Sequence, residues 1–393
     1  VKIRERLAKV LGFRGNILPI VSLELISNVG WNMYEAVRQP FILSLGATVT
    51  ILGALDGFSL ALRSLLQPFM GRISDRLGRK RPIYFSHALC IVGLSLLFVA
   101  KSWLWLVPAL ISFAIADSIW DPIFPTLISE SVNEERRGEA FSLWSLTWSI
   151  PGFFAPALGG LIAENFGFKP IMVLTLVGEF LAFAVFILFV RETLTGRKEL
   201  RIGDFIGSLT DALRPPSGLS RFYAAAILGQ FIWFMGEGLL PAMLVKAYDF
   251  TLIQLGVLAN VMSLSIVIFQ IPFGRLVDRY GGKPFLLLSS VLWSIIFLGY
   301  MASRSFASFV IFKVLRGIVA AAWQPAYNAY ISRAVPDDER ARTYGDINCL
   351  RGLICFPAPI IGALLFENYG FSAPLWAGLV LSVMAFAIFT TVR

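Results

Sequence analysis

Between positions 24 and 38, the residues Glu24, Asn28, Trp31, Glu35 and Arg38 step by four, three, four and three. At 100° per residue they share one face of a helix, within about 80° of each other. Helical spacing recurs at Asp56, Ser59, Arg63 and Gln67, at Phe113, Asp117, Asp121 and Phe124, at Gln230, Trp233 and Glu237, and at Arg316, Trp323, Gln324 and Tyr327. Each stripe is set in an apolar run. Carboxylates so placed can trade a proton for a cation, and indoles beside them stack on rings and hold cations over their faces. Other chemistries lack their residues. His87 is the only histidine, and the three cysteines, Cys90, Cys349 and Cys355, form no CxxC. His-based triads, HExxH zinc sites and a disulfide framework are thereby excluded. No GxxxxGK[ST] or GxGxxG loop is present to cradle a nucleotide. We expect neither an enzyme nor a cofactor, and no bound metal.

The elements that carry these stripes follow from composition. Of 393 residues, 57% are hydrophobic and 15% charged, against about 45–50% and about 25% in soluble domains. The mean hydropathy is +0.73. Apolar runs long enough to cross a bilayer occupy 17–45, 49–70, 82–100, 103–129, 138–163, 170–190, 221–246, 252–272, 284–302, 306–331, 341–365 and 373–392. The first lacks a small-residue cleavage site and reads as a retained helix. The loops and termini of one side hold 25 Lys and Arg residues against 4 on the other. The positive-inside rule then puts both termini in the cytoplasm, and the net charge of +9 marks that membrane face without a nucleic-acid partner. A prokaryotic cytoplasmic membrane is the expected location.

Thirteen ionisable side chains fall inside the spans: the acids Glu24, Glu35, Asp56, Asp117, Asp121, Glu179, Glu237 and Asp346, and the bases Arg38, Arg63, Lys313, Arg316 and Arg351. Each costs about 2.5–3.5 kcal/mol near mid-membrane, and folded proteins are stable by only about 5–15 kcal/mol. They must face one another, a polar interior or the membrane surfaces. We expect Arg38 to reach the outer surface beside Pro40, and Asp56 and Arg63 to be a possible packing pair. His87 reads as a surface residue at the start of the third span. The polar segment 191–220 contains Pro215-Pro216 and an apolar pattern, Ile202, Phe205, Ile206, Leu209 and Leu213, that predicts a short amphipathic surface helix.

An internal repeat divides the chain around that segment. Adding 203 takes Gly71-Arg72 to Gly274-Arg275, Asp75-Arg76 to Asp278-Arg279, Gly78 to Gly281, Trp120 to Trp323 and Glu164-Asn165 to Glu367-Asn368. In the first span the offset is 202, pairing Asn28 with Gln230, Trp31 with Trp233 and Glu35 with Glu237. The expected organisation is an all-α membrane protein of two pseudo-symmetric six-helix bundles, 1–190 and 221–393, joined by a linker at 191–220.

The loop Gly71-Arg72-Ile73-Ser74-Asp75-Arg76-Leu77-Gly78-Arg79-Lys80-Arg81, with its weaker copy at Gly274 to Lys283, resembles the signature between helices 2 and 3 of the major facilitator superfamily. The resemblance covers nearly the whole chain. It implies a central cavity lined by helices 1, 4, 7 and 10 with help from 2, 5, 8 and 11, and the stripes fall on members of that set. It also implies a conformational latch made of Gly71, Asp75, Arg76, Gly78, Arg79, Asp278 and Arg279, with Asp75 facing the start of helix 11. Glu179 would lie on a peripheral helix, away from substrate. The segment Pro151-Gly152-Phe153-Phe154-Ala155-Pro156-Ala157-Leu158-Gly159-Gly160 is similar to the helix 5 motif of drug:proton antiporters, with Pro151 and Ala155 where that pattern prefers Gly. Phe113 stands where many proton-coupled members carry an Arg.

The expected function is secondary active transport, the export of lipophilic or cationic small molecules coupled to protons. The substrate and proton candidates are Glu24, Asn28, Trp31, Glu35, Asp56, Arg63, Asp117, Asp121, Gln230, Trp233, Glu237, Arg316, Trp323 and Gln324. A carrier of polar or anionic metabolites, using Arg63, Lys313, Arg316 and Arg351, is the alternative. A non-transporting receptor or scramblase is the remote one. The expected partners are a small-molecule substrate, the proton and the lipid bilayer, with the chain acting as a monomer.

Overall fold

A computed structural model describes residues 15–194, 219–335 and 347–392, the side chain of Glu135 excepted. The amphipathic pattern at 202–213, Asp346 and Arg393 lie outside the described residues. Twelve helical spans follow in order: α1 (Ile17–Ser44), α2 (Val49–Leu77), α3 (Lys80–Val99), α4 (Trp103–Glu130), α5 (Arg137–Phe166), α6 (Lys169–Phe189), α7 (Ser220–Tyr248), α8 (Leu252–Tyr280), α9 (Lys283–Ala302), α10 (Phe306–Ala334), α11 (Ile347–Tyr369) and α12 (Ser372–Thr391). Eleven combine the length and apolarity needed to cross a membrane. The remaining one, α1, is 28 residues long, and its polar stripe is what lowers its hydropathy. Large apolar side chains such as Phe166, Leu188 and Val380 point outward, as expected where lipid is the solvent. The chain is a multi-pass membrane protein.

Local chemistry starts and stops the helices at matching places in the two halves. The Thr48 hydroxyl accepts the Ile51 N–H at the start of α2, and Thr251, 203 residues later, forms a capping box with Gln254 at the start of α8. Both α2 and α8 are 29 residues long and end at a glycine of positive φ, Gly78 at +91° and Gly281 at +85°. At Gly78 the positive φ strains any other residue, and a Cβ would also displace the Glu192 carboxylate. Helix α5 breaks at Phe153-Phe154 and α11 at Phe356-Pro357, again 203 apart. The symmetry fails at α7, where a 3₁₀ turn at Glu237–Leu239 interrupts a helix that is continuous in α1. That break lies where the repeat spacing slips by one. Pro40 does not end α1, which continues to Ser44.

Helices α1 to α6 pack mainly on one another, as do α7 to α12. The two sets meet through α2 against α11, α5 against α8, and α1 against α7 and α8. Gly53 of α2 lies on the Pro359 carbonyl of α11, and its repeat mate Gly256 of α8 lies on the Pro156 carbonyl of α5. A side chain at either would drive the helices apart. These contacts sit at the end of the molecule that carries the α1–α2 and α7–α8 turns. There one apolar core runs through both halves, including Phe41, Phe113, Leu240, Phe297 and Phe309. At the other end each half has a core of its own. One is built on Ile17, Phe124 and Phe186, the other on Phe222, Ile331 and Phe389 with Leu60 as the visitor from the first half. Among the described residues, the halves close on each other at the first end and keep separate cores at the second.

Candidate functional site

Charge pairing organises the membrane-embedded side chains of the first half. Arg38 leaves the outer surface alone and binds Asp56 of α2, with Nη1 2.6 Å from Oδ1 and a second bond at 3.3 Å. Glu35, half exposed, touches the same guanidinium at 3.4 Å. Asp56 is therefore not the partner of Arg63. That arginine crosses from α2 to α4, where its Nε donates to Asp121 at 2.7 Å and its Nη1 reaches Asp117 at 3.4 Å, while Gln67 also donates to Asp121. Asp117 and Asp121 are one helical turn apart, so a single fork from α2 bridges both.

Behind α1 the structure corrects one expectation. His87 is buried, at 3% exposure, and its Nδ1 lies 2.6 Å from Oε1 of Glu179. Glu179, on α6, is not isolated from the stripe either, because its Oε2 accepts bonds from Ser27 at 2.8 Å and from the Trp31 indole at 3.2 Å. The His87 ring is enclosed by Trp120, Phe183 and Phe186. Hydropathy alone cannot show such a pair, since a histidine at the end of a span reads as interfacial.

Glu24 differs from the other acids of this half. It is buried between α1 and α5, accepts bonds from Asn28 and from the Trp144 indole, both at 3.3 Å, and has no base within ion-pair distance among the described residues. Asn28 also reaches Thr147 of α5. The position where an Arg is common is filled by Phe113, edge-on to Trp31 at 5.5 Å.

In the second half, five of the expected residues line one pocket of about 230 Å³ between α7, α9, α10 and α12: Gln230, Trp233, Arg316, Trp323 and Gln324. Glu237 is not among them. It sits in the α7 break and holds Lys313 of α10 at 2.6 Å, both side chains buried. Trp323 stacks over Tyr327, and the Arg316 guanidinium lies 4.6 Å above the Trp293 ring.

The latch residues gather at the divided end. Asp75 holds Arg79 at 2.7 Å, and Arg79 is buried against Glu130 at 2.9 Å and Ser74 at 2.6 Å. Burial pushes the Arg79 guanidinium down, but the bonds to Glu130 and Asp75 outweigh it and leave it above its ordinary value. Asp75 makes no hydrogen bond or ion pair with α11 among the described residues. Arg76 closes the last turn of α2, Gly71 lies opposite Pro122 of α4, Arg279 covers the Tyr280 ring, and Asp278 makes no ion pair among the described residues. Glu192, which no motif or spacing singles out, clamps the turn. Its carboxylate accepts the backbone N–H groups of Arg79, Lys80, Thr193 and Leu194. Partial burial raises the Glu192 carboxyl, yet these four donors hold it below its ordinary value.

The closed end has its own polar pair, also missed by the search for intramembrane charge. Glu367 of α11 accepts Thr50 N and Oγ1 at the start of α2, and its repeat mate Glu164 of α5 accepts Ile253 N at the start of α8. Both join the halves, and both put a carboxylate at a helix N-terminus.

The profile described as Major Facilitator Superfamily matches residues 14–266 and 222–393. Among curated proteins, the multidrug resistance protein MdtG of Enterobacter lignolyticus (strain SCF1) is 24% identical over 335 residues, 82% of this chain and 77% of the relative. MdtG of Salmonella typhimurium is 23% identical over 327 residues, 82% and 80% of the two chains. Two solved structures share the fold. The human organic anion transporter MFSD10 (TETRAN) has a TM-score of 0.73 at 16% identity over 95% of this chain and 98% of its own. A POT family transporter in complex with 5-aminolevulinic acid has a TM-score of 0.75 at 15% identity, covering 96% and 95%. With the profile match running through both halves of the repeat, the chain belongs to the Major Facilitator Superfamily and is a transport protein, not an enzyme.

Proposed function

We propose that the protein exports lipophilic small molecules, cations among them, in exchange for protons, by alternating access between two six-helix units, 1–190 and 221–393, linked through 191–220. The observation that carries this reading is Glu24. A buried carboxylate with only two weak donors and no base within ion-pair distance among the described residues is costly as a bare anion, so it is satisfied either by a proton or by a cationic guest, which is what an exchanger needs. Glu35 offers a second, more accessible carboxylate two to three turns along the same helix face. Asp56, Asp117, Asp121 and Glu237 already hold bases, and in this reading those pairs are remade as the helices shift. The indoles of Trp31, Trp144, Trp233 and Trp323 suit aromatic cargo. Relatives named multidrug resistance proteins support the choice of substrate class.

With both termini in the cytoplasm of a prokaryotic cell, the closed end is the outer one and the divided end faces the cytoplasm. The Asp75 contact with the start of α11 belongs to the opposite state of the cycle, and the chain works as a monomer. One proton crossing about 100 mV supplies about 2.3 kcal/mol, enough for a gradient of about fiftyfold. Inverted membrane vesicles, acidified inside, test the reading with ethidium as the probe. Uptake is expected to collapse when the pH gradient is dissipated and to become insensitive to it in Glu24→Gln. Uptake with no dependence on the gradient in the unaltered protein overturns the proton claim.

A further inference from the structure

Of the five bases inside the spans, Arg351 lies near the start of α11, and the other four invite comparison by their partners. Arg38 is bound by Asp56, Arg63 by Asp117 and Asp121, and Lys313 by Glu237. Arg316 lines the α7–α9–α10–α12 pocket without any hydrogen bond or ion pair among the described residues, and its Nε is enclosed with no acceptor. Its one close companion is the face of Trp293 at 4.6 Å. Glu237 acts on it only from beyond ion-pair range, with its charge already met by Lys313. The three groups together leave one positive charge uncompensated beside the pocket.

Nothing in the packing explains that charge. The repeat mate of Arg316 is Phe113, an apolar core residue of the first half, so the helix framework does not demand a base. No carboxylate lines the pocket. Besides the guanidinium, its lining includes the aromatic faces of Trp233, Trp293 and Trp323, the amides of Gln230 and Gln324, and the hydroxyls of Ser290 and Ser382. An unpaired guanidinium in a low-dielectric wall is an open demand for a planar anion, and a carboxylate matches its fork through two parallel bonds. The space of about 230 Å³ admits one or two fused rings and no large drug.

We propose that this pocket is a binding site for an aromatic carboxylate, which meets Arg316 with its carboxylate and lies against Trp233 and Trp323 with its ring. The site gives the transporter proposed above a class of acidic cargo; its meaning in transport rests on that reading, and its existence does not. The test is equilibrium titration of the purified full chain in detergent with 1-naphthoate and, separately, its neutral analogue 1-naphthamide, read by quenching of tryptophan fluorescence. Saturable quenching is expected, with the acid at least about tenfold tighter than the amide, as a charge-assisted pair implies. Arg316→Gln should weaken the acid about tenfold or more and leave the amide unchanged, and Arg316→Lys should fall between. Equal affinity of acid and amide for the unaltered protein overturns the proposal without reference to any variant. So does quenching that never saturates, or naphthoate binding by folded Arg316→Gln equal to that of the unaltered chain. No gradient enters this assay, so a negative titration leaves proton-driven efflux standing, and a failed efflux assay leaves a positive titration standing.

Discussion

The paired carboxylates of the closed end make a quantitative claim about the transport cycle. Glu367 takes two bonds from Thr50, and Glu164 takes one from Ile253, and every one of these bonds crosses between the halves. Replacing both acids by Gln keeps the shape and removes the charge that faces the N-termini of α2 and α8. Both sites are open to water, so each loss is taken at about 1 kcal/mol, toward the lower end for charged hydrogen bonds. The two sites share no partner, and the losses should add to about 2 kcal/mol. Because the contacts exist only while this end is shut, the loss falls on one state and shifts the closed-to-open ratio roughly thirtyfold. Spin labels at Asn165 and Asn368, one in each half at that end, report the separation in a background with Cys90, Cys349 and Cys355 replaced by Ala. The longer distance should gain population by about that factor in Glu164→Gln/Glu367→Gln, with each single variant giving about fivefold. An unchanged distance distribution in the folded double variant would refute the assignment of these residues as a clasp.

Three further outcomes follow from the pairs. Glu179→Gln leaves His87 buried against a neutral partner and should cost about 3 kcal/mol, whereas His87→Leu/Glu179→Leu should cost less than the single change; thermal unfolding in detergent ranks them. Arg63→Gln strands Asp117 and Asp121 one turn apart and should lower the unfolding midpoint more than Arg63→Gln/Asp121→Asn does. Partial exposure limits that difference to about 1 kcal/mol. Glu192 supplies the pH sign. Its carboxyl is held below its ordinary value in the folded protein, so its clamp is fully present above about pH 4.3 and is lost only as the pH falls through the lower folded value. Amide exchange at Arg79 and Lys80 should therefore be unaltered, beyond the intrinsic rate, between pH 7 and 5, and should speed up in Glu192→Gln throughout that range.

Much of this was legible from residue order. Helix positions were readable because lipid imposes a minimum apolar length, although α2 and α8 run on past the expected 70 and 272 to Leu77 and Tyr280, and the 203-residue repeat was readable because residues recur at one offset: Gly71-Arg72 and Gly274-Arg275, Gly78 and Gly281, Trp120 and Trp323. Stripe residues were identifiable by spacing along one helix. Their partners were not, because pairing depends on which helices are neighbours and how they are rotated. Arg38 finds Asp56, Arg63 finds the two aspartates of α4, and His87 finds Glu179, each across a helix boundary that no periodicity encodes. Glu164 and Glu367 stood out only as a repeat pair, without a role, for a related reason. They lie at helix ends, where a charge costs little, and only the packing of α5 on α8 and of α11 on α2 shows that they join the halves.

By itself, then, the sequence determined a duplicated twelve-helix membrane protein with polar faces turned inward, because hydropathy, spacing and basic-residue bias act locally and survive without knowledge of neighbours. Only the tertiary structure decided which charges are neutralised and which are left over. Most acids of the stripes were matched to a base on another helix, and what remained without an ion pair among the described residues included a carboxyl at Glu24 in one half and a guanidinium at Arg316 in the other. Electrostatic energy falls steeply with separation and with water access, and both are set by the packing of the helices, not by their order along the chain.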